Sequence, residues 1–416
     1  MTVHVIGAGL AGLSASVRLV SRGCRVVLHE AARQAGGRCR SYHDRALGRV
    51  IDNGNHLLLS GNRSTLGYLR TIGAAHSLVG PNDACFPFLD LRSGQRWTLR
   101  PNPGRLPVWT LMPSRRVPGS RFTDYLGGWR LAVAAPSLTV ADCLGNSGVL
   151  WERLWDPLST AVLNTPSAIG SAGLLWTALR ESFLRGGESC RPLMARDSLA
   201  ASLVEPALAF LTEHRAAIHW GRRLRAVSLR DRATDLHFAN LDVALEPGDQ
   251  VILALPPAQI AGLLPNIRVP LGSHAIVNAH FRLPRPARLP GGAMLLGLVG
   301  ATAQWLFLRQ EVASVTVSAA DDLVETSSDE IAETLWRETA KALDLPTVPE
   351  PPWRIVKEKR ATFSQTPAEN AKRPPTETPW PNLHLAGDWT ATGLPATIEG
   401  AVRSGQRAAG AILTSV

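Results

Sequence analysis

Three glycines near the N-terminus have the spacing that lets a peptide backbone hold a diphosphate. Gly7, Gly9 and Gly12 follow the apolar run TVHVI and precede the helix-forming run LSASVRLVSRG. The first glycine permits a tight turn, the second lets the backbone approach a pyrophosphate, and the third lets helix and strand pack closely. The N–H groups at Leu10 and Ala11, where the helix begins, would face the phosphates. The pattern therefore predicts a dinucleotide-binding βαβ unit.

An acid at the end of the second predicted strand indicates which nucleotide fits. Glu30 ends the run CRVVLHE, where its carboxylate can accept hydrogen bonds from a ribose diol. The same carboxylate would repel a 2′-phosphate, which argues against NADP. A glycine turn without a ligand is the alternative, and the complete order of strand, turn, helix, strand and acid disfavours it.

A second set of residues separates the longer dinucleotide FAD from NAD. Gly36, Gly37 and Arg38 follow the acid closely, and Asn53 and Gly54 lie in the run DNGNH. A glycine pair followed by arginine makes a second backbone platform with a cation that can neutralise the diphosphate. NAD domains do not need this extension, whereas FAD must also position its ribityl chain and ring. A surface salt bridge is the alternative for Arg38.

Together the N-terminal runs resemble the glutathione-reductase-type FAD domain, in its amine oxidase and carotenoid desaturase branch. The resemblance implies an α/β fold, in which a Rossmann FAD domain carries an inserted mixed α+β substrate domain. We expect a discontinuous FAD domain from residues 1–60, 215–257 and 380–416. We expect the substrate domain from residues 61–214 and 258–379.

The resemblance also implies roles for the C-terminal run LAGDWTATGLPATIEGAVRSG. Asp388 would hydrogen-bond the ribityl chain, and a helix N-terminus would face the flavin pyrimidine. A helix N-terminus there stabilises the negative charge that develops at N1 and O2 on reduction. The expected contacts in this run are Gly387, Asp388, Pro395, Ala396, Thr397 and Ile398. In the middle of the chain, the backbone near Val227 would contact adenine.

The five cysteines are odd in number and scattered, and they form no CxxC pair. They indicate neither a disulfide framework nor a zinc site, and we expect no metal. No cysteine follows Cys190. A thioether from the C-terminal region is therefore impossible, and we expect the FAD to be non-covalent.

Residues 106–133 combine apolar aromatic residues with arginines. Such a mixture suits an anchor on anionic lipid, and the formal net charge of +10 supports a membrane partner. A core-lining loop with solvated arginines is the alternative. The residues concerned are Trp109, Leu111, Met112, Phe122, Tyr125 and Trp129 beside Arg115, Arg116, Arg121 and Arg130.

Other features of the whole chain narrow its expected partners and location. No Lys/Arg block interleaves with aromatic residues, so we expect no nucleic acid partner. The N-terminus does not resemble a signal peptide, which predicts a cytoplasmic protein peripheral to the inner membrane. Residues 346–381 are rich in proline and polar residues, and they predict a surface connection with a short strand near 353–356.

Four longer runs narrow the resemblance. EAARQAGGRCRSYHD, IDNGNHLLLSGNRSTLGYLRTIGA, LWDPLSTAVLNTP and the C-terminal run are similar to the hydroxysqualene dehydroxylases of bacterial hopanoid synthesis, over essentially the whole chain. The resemblance implies reduction of hydroxysqualene, a long-chain isoprenoid, to squalene. Protonation of the allylic hydroxyl lets water leave, and reduced flavin delivers hydride from N5. A carotenoid desaturase or an amine oxidase on the same fold is the alternative.

Three residues are candidates for handling the hydroxyl. His56 follows the DNG turn, and an imidazolium can donate a proton near neutral pH. Its alternative role is a hydrogen bond to the flavin or the backbone. Asn164 and Thr165, in the run LNTP, could bind the hydroxyl, or they could end a helix that Pro166 stops. Weaker candidates are Asp142 and Asp156.

The source of electrons is expected to lie outside the chain. The glycine-rich run at 291–300 lacks the spacing and the acid of a nicotinamide fingerprint. An external electron donor is therefore expected. A flavin-binding scaffold without turnover is disfavoured, because two distant segments both serve the flavin. Nothing in the sequence indicates an oligomeric state.

Overall fold

Two large sheets organise the chain. The computed structural model describes residues 1–347 and 349–414. The strands are β1 (Thr2–Ile6), β2 (Arg25–His29), β3 (Ser41–Asp44), β4 (Arg49–Asp52), β5 (Leu58–Leu59), β6 (Leu78–Val79), β7 (Phe86–Asp90), β8 (Arg96–Leu99), β9 (Pro192–Ala195), β10 (Ala217–His219), β11 (Leu224–Leu229), β12 (Ala233–Phe238), β13 (Asp242–Ala244), β14 (Gln250–Leu253), β15 (Ser273–Arg282), β16 (Leu295–Val299), β17 (Trp305–Arg309), β18 (Val312–Ser318), β19 (Trp353–Phe363) and β20 (Leu383–Leu385). The helices are α1 (Leu10–Val20), α2 (Arg63–Thr71), α3 (Phe122–Tyr125), α4 (Val140–Leu144), α5 (Asp156–Leu163), α6 (Ala172–Glu181), α7 (Leu199–Leu203), α8 (Glu205–Glu213), α9 (Pro257–Leu263), α10 (Ser328–Ala342), α11 (Pro367–Asn370) and α12 (Ile398–Thr414).

The first sheet is parallel and has the strand order β10-β2-β1-β14-β20. It joins three distant parts of the chain, because β1 pairs with β2 on one side and with β14 on the other. Apolar residues cover both of its faces, as parallel strands require. Helices α1, α8 and α12 pack on one face, and the small antiparallel sheet β11-β12-β13 packs on the other with α9. This arrangement is the Rossmann domain that the sequence predicts.

The boundary of this domain differs from the expected one. Helices α2, α7 and α8 lie in the segment 61–214 that was assigned to the substrate domain. Their buried leucines, including Leu69, Leu203 and Leu211, belong to the apolar cluster that packs around α1 and α12. The predicted FAD domain was therefore too small at both ends of the segment 61–214, because the outer face of α1 needs these helices as cover.

The second sheet has the order β19-β15-β18-β17-β16-β7-β8 and is antiparallel except for the pair of β16 and β7. Helix α10 covers one face, where the rings of Trp336 and Phe281 lie 5.2 Å apart. The run at 291–300, which lacks a nicotinamide fingerprint, contributes the interior strand β16 to this sheet.

The predicted surface connection at 346–381 is wrong. Its residues form β19, an edge strand of 11 residues, and then a segment in which Gln365 is 0% exposed and Arg373 is 8% exposed. The charged run KEKR led to the prediction of a surface connection. An edge strand can also contain such a run, because it can expose alternate side chains.

Helices α3 to α6 and short 3₁₀ turns form a cap beside the second sheet. Leu131, Leu163 and Leu175 are fully buried at its centre. The cap carries residues 106–133 on its outside. Within the two described ranges, no helix is both long and apolar enough to cross a bilayer.

Helix α12 lies against α1 so closely that only a glycine fits at one point. A Cβ added to Gly405 would lie 2.0 Å from the backbone oxygen of Ala11, and neither backbone can move freely. This contact places the C-terminal run beside the N-terminal glycine turn. The two predicted flavin signatures therefore meet through helix packing.

We predict that Gly405→Ala destabilises the protein by about 1–3 kcal/mol, because the added methyl group overpacks the contact of α1 and α12. Gly410→Ala in the same helix is the matched control. Its Cβ would lie 3.6 Å from the flexible end of Arg18, so the change should stabilise by up to about 1 kcal/mol through helix propensity. Urea unfolding measures both, and equal stability of the two variants would contradict the close contact.

Candidate functional site

Close backbone contacts fix the N-terminal glycine turn at Gly7 and Gly12, whereas the turn is open at Gly9. Gly7 has a φ of +105°, and its Cβ position lies 2.5 Å from the carbonyl oxygen of Ala254. A Cβ on Gly12 would lie 1.9 Å from the Gly7 oxygen, whereas a Cβ on Gly9 would meet nothing within 4 Å. The backbone at Gly9 is therefore accessible to a ligand from the open side.

Helix α1 presents its N-terminus to the same open space. Leu10 and Ala11 form its first turn, with side chains only 5% and 7% exposed. The turn contains no acidic residue, and Gly9 supplies no side-chain cap. Its N–H groups and dipole therefore favour an anionic ligand such as a diphosphate.

Glu30 is held at the end of β2, beside the turn. One carboxylate oxygen accepts a hydrogen bond of 2.7 Å from the N–H of Ala8, and the other accepts one of 2.8 Å from the N–H of Ala32. These bonds orient the carboxylate, and each oxygen retains a lone pair. The position and charge fit the predicted recognition of a ribose diol.

The second glycine platform touches the first. Gly36 and Gly37 have φ values of +103° and +56°, in the left-handed region that favours glycine. The N–H of Gly36 donates to the carbonyl of Ala8 at 2.8 Å, and the Cβ position of Gly37 lies 3.5 Å from the Cα of Gly9. The two glycine runs therefore form one continuous surface.

Arg38 joins this surface to the C-terminal run. Its guanidinium donates to both carboxylate oxygens of Asp388, each at 2.7 Å, and to the carbonyl of Ala361 at 2.5 Å. The Arg38 side chain keeps 43% of its surface exposed, whereas Asp388 is 7% exposed. Arg38 is thus paired with a buried carboxylate of the C-terminal run, and not with a surface acid, which was the alternative prediction for Arg38.

The residues around Asp388 depend on a buried arginine that sequence reasoning missed. The guanidinium of Arg373 donates to four backbone carbonyls between residues 388 and 394, and also to Thr392 and Asn370. Burial lowers the pKa of Arg373 to about 10, so it remains charged at neutral pH. Nothing in the local sequence distinguishes this arginine, because its partners come from a separate turn.

Other residues of the C-terminal run have well-defined contacts. The N–H of Gly387 donates to the Ser404 hydroxyl at 2.8 Å, and the carbonyl of Pro395 accepts from the Thr397 hydroxyl at 3.3 Å. The N–H of Ala396 is occupied by the side-chain oxygen of Gln365 at 2.9 Å. In the described part of the chain, this leaves the N–H groups of Thr397 and Ile398 without a partner, at the N-terminus of α12.

Asn164 and Thr165 are not free to bind a substrate hydroxyl, so this prediction is wrong. Asn164 adopts a φ of +44° at the end of α5, and its amide bonds the His274 carbonyl, the Thr362 hydroxyl and the N–H of Ala319. Thr165 donates to the Leu163 carbonyl and accepts from the N–H of Gln365. The helix-end alternative is the correct one.

The run DNGNH lies between the first sheet and the second. The Asn53 side chain donates to Glu358 of β19 at 3.2 Å, and a Cβ on Gly54 would lie 3.2 Å from the Asn278 amide of β15. His56 follows, with its Nε2 3.9 Å from the same Cβ position. The run is therefore held by the sheet of the other domain.

His56 is neutral at neutral pH in this structure. Burial lowers the pKa of His56 to about 4, although the Asp52 carboxylate raises it in part. The imidazolium expected from the sequence is thus a minor species at pH 7. Among the described residues, no hydrogen-bond partner holds the ring.

Val227 lies outside this cluster of contacts. It is on β11, opposite Leu236 in the small antiparallel sheet, and packs in the cluster that includes Ile6 and Leu253. The sheet covers the first domain on the face opposite α1. The contact of the backbone near Val227 with adenine stays a prediction.

These features fit a flavin dinucleotide. The open backbone at Gly9, the uncapped start of α1 and the guanidinium of Arg38 suit a diphosphate. The unpaired N–H groups at the start of α12 suit an electron-rich ring edge. An apolar or cationic ligand would leave these donors without acceptors.

Comparisons with known proteins agree with this geometry. The profile of the family described as flavin containing amine oxidoreductase matches residues 10–413. The structure of cyclohexylamine oxidase from Brevibacterium oxydans superposes with a TM-score of 0.71 at 17% identity, over 100% of this chain and 99% of that chain. The fold is therefore that of the flavin-dependent amine oxidases.

Closer relatives narrow the class. Hydroxysqualene dehydroxylase of Rhodopseudomonas palustris is 49% identical over 416 residues, which is 100% of this chain and 99% of the relative. The protein of the same name from Sinorhizobium fredii is 47% identical over 98% of this chain and 97% of its own length. The chain belongs to the hydroxysqualene dehydroxylase family, within the flavin containing amine oxidoreductases.

We predict that Arg38→Met weakens flavin binding about 10- to 100-fold, because it removes a charge-assisted contact and leaves Asp388 unpaired. Flavin absorbance per protein after gel filtration, and titration of the apoprotein with FAD, measure the loss. Arg354→Met is the matched control. It breaks the ion pair between Arg354 Nε and Asp44 Oδ2, which are 2.5 Å apart. These side chains are 43% and 4% exposed, which is similar to the exposure of Arg38 and Asp388. Equal flavin loss in both variants would contradict the role of Arg38.

Proposed function

We propose that this protein reduces hydroxysqualene to squalene with a reduced flavin. The main support is that this chain is 44–49% identical, over essentially its full length, to three proteins named hydroxysqualene dehydroxylase. In this chain the two flavin signatures meet at the pair of Arg38 and Asp388. The reaction replaces the C–O bond by a C–H bond and releases water.

We propose FAD as the flavin, bound without a covalent link. Both glycine platforms, Glu30 and the start of α1 favour a dinucleotide over a mononucleotide. Cys39 is the cysteine next to Arg38, and burial raises the pKa of its thiol to about 12. A thiol that stays protonated is a poor nucleophile, which favours non-covalent binding.

Reduced flavin supplies a hydride when it is bound. The chain must supply the rest, which is a proton, a dry site and a fixed substrate. The N–H groups of Thr397 and Ile398 support this chemistry because they stabilise negative charge on the ring edge. Arg38 and the start of α1 neutralise the diphosphate.

We propose His56 as the proton donor to the allylic hydroxyl. Its low pKa makes the imidazolium scarce at neutral pH, but it also makes each imidazolium a strong acid. The ring has no partner among the described residues that would hold its proton. The weaker candidates are already engaged: Asp142 caps α4, and Asp156 accepts from Ser167.

Apolar residues next to His56 favour an isoprenoid. Leu57 packs in two apolar clusters, one containing Phe86 and Phe88 and the other containing Met194 and Phe307. Apolar walls limit the access of water to a bound substrate, which would protect a carbocation from capture. Trp305 belongs to both clusters, and its buried indole N–H has no hydrogen-bond partner in the described residues. A substrate hydroxyl would satisfy this donor.

The low solubility of the substrate and the need for electrons each indicate a further partner. Squalene and its alcohol are nearly insoluble in water, so we propose that the enzyme draws substrate from an anionic membrane surface on the cytoplasmic side. We propose a separate electron donor, since the one dinucleotide fingerprint of the sequence lies at Gly7 to Gly12 and serves the flavin.

Anaerobic turnover tests the proposal. Protein reduced with dithionite and freed of excess reductant is mixed with hydroxysqualene in detergent. We expect squalene to form in step with reoxidation of the flavin. If no squalene forms and the flavin stays reduced, the proposal fails. Flavin reduction by a polyene precursor, or peroxide release from amines in air, would instead support a desaturase or an amine oxidase.

The pH profile and one variant test His56. With a pKa of about 4, the protonated fraction falls about tenfold per pH unit between about pH 5 and pH 7, and the rate of flavin reoxidation should fall with it. His56→Gln should lower the rate at about pH 5 by 100-fold or more and flatten the profile, without loss of flavin. His43→Gln, an exposed change on β3, is the control. A steep profile that survives in His56→Gln would assign the proton to another group.

A further inference from the structure

Exposed apolar side chains are concentrated on the outside of the cap. Of fifteen large apolar residues exposed among those the structure describes, eight fall within residues 106–133. They are Leu106, Val108, Leu111, Met112, Phe122, Leu126, Trp129 and Val133. We call these eight residues the apolar surface. Trp109 and Tyr125 instead turn inward and pack edge to face at 5.4 Å, so they support the surface from below.

A cationic cavity of about 480 Å³ lies directly beside the apolar surface. Its lining residues are Arg63, Pro103, Gly104, Arg105, Arg185, Glu188 and Ser189. Arg105 precedes Leu106, which is 74% exposed and begins the apolar surface. The cavity therefore opens at the edge of that surface.

The walls of the cavity are held by backbone contacts. The N–H of Gly187 donates to the Asn102 carbonyl at 2.7 Å, and a Cβ on Gly186 would lie 2.1 Å from the Pro103 oxygen. The Ser60 hydroxyl donates to the Glu188 carbonyl at 2.6 Å. Three separate segments of the chain are thus locked around the space, and the cavity does not depend on a single surface loop.

The three guanidinium groups are not hydrogen-bonded or ion-paired within the described residues, and Arg185 interacts electrostatically with Glu181, which lies outside the lining. Within residues 1–347 and 349–414, the side chains of Arg63, Arg105 and Arg185 make no hydrogen bond or ion pair, and neither does the carboxylate of Glu188. The nearby Arg403, by contrast, is bonded to both carboxylate oxygens of Glu181. Three cations against one carboxylate leave a positive cavity, and guanidinium groups are suited to phosphate oxygens.

We propose that this cavity binds the phosphate of an anionic phospholipid headgroup while the apolar surface enters the bilayer. The occupant follows from the arrangement, because a phosphate at the rim of an exposed apolar surface lies at headgroup depth. Scattered basic charge would only attract the membrane, whereas a built cavity also sets the orientation of the cap. This inference rests on the proposed function only for the need to reach a bilayer.

Flotation with lipid vesicles tests the cavity. Purified holoprotein is mixed with phosphatidylcholine vesicles that contain or lack phosphatidylglycerol. Arg105→Gln/Arg185→Gln should weaken binding to the anionic vesicles about 25-fold, at about fivefold for each basic residue at the surface. The matched control is Arg285→Gln/Arg288→Gln, which removes two exposed arginines from the loop before β16. We expect the control to lose less than about threefold, because Arg285 and Arg288 do not line the cavity and exposed charges are screened by salt.

The apolar surface has its own pair of variants. Leu106→Ser should weaken binding to both kinds of vesicle, because it removes buried apolar area from the bilayer. Leu271→Ser, at a residue 60% exposed elsewhere, should have no effect. Thermal unfolding and flavin content verify that each variant is folded.

Two outcomes would overturn the proposal. One is an equal loss of anionic vesicle binding in both arginine pairs, which would show that only net charge matters. The other is binding of inorganic phosphate that Arg105→Gln/Arg185→Gln abolishes while vesicle binding is unchanged, which would assign the cavity to a soluble phosphate. Vesicle binding needs no turnover, so an absence of squalene formation would overturn the proposed function and leave this result standing.

Discussion

The ion pair of Arg38 and Asp388 is the contact on which the flavin site depends. It joins residues 350 positions apart, and both oxygens of the nearly buried carboxylate take part. Removing Arg38 would leave the nearly buried Asp388 carboxylate unpaired and with little access to water, which is strongly unfavourable. The pair therefore holds the second glycine platform against the C-terminal run, which brings the two predicted flavin-binding segments together.

A buried polar network supports this pair from the substrate side. Arg373 ties the carbonyls of the 388–394 turn together, and Gln365 holds the N–H of Ala396. Gln365 is held in turn by Thr165, at the end of α5. Such networks are rigid when every member is satisfied. The run LNTP is therefore connected to the start of α12 through Gln365, and the polar side chains of Asn164 and Thr165 are occupied by protein partners.

The chemistry proposed for the site needs a dry interior and a proton at the same place. Both come from the position of the DNGNH run between the two sheets. Burial there lowers the pKa of His56, and Leu57 begins the apolar walls that would surround an isoprenoid. Under the proposed function, the same hydrophobic substrate would account for the apolar surface on the outside of the cap, since an enzyme that takes substrate from a bilayer must reach it.

The sequence by itself determined the Rossmann unit and the flavin class, because these depend on local spacing, and its resemblance over four longer runs indicated the family. Gly7, Gly9, Gly12 and Glu30 belong to one motif of about thirty residues, so their spacing can be recognised without the rest of the chain. Only the tertiary structure decided the partners of polar side chains. Asn164 and Thr165 proved to be engaged, and β19 and Arg373 emerged from an expected surface connection. The physical reason is that availability of a hydrogen-bonding group depends on neighbours that folding brings from distant segments.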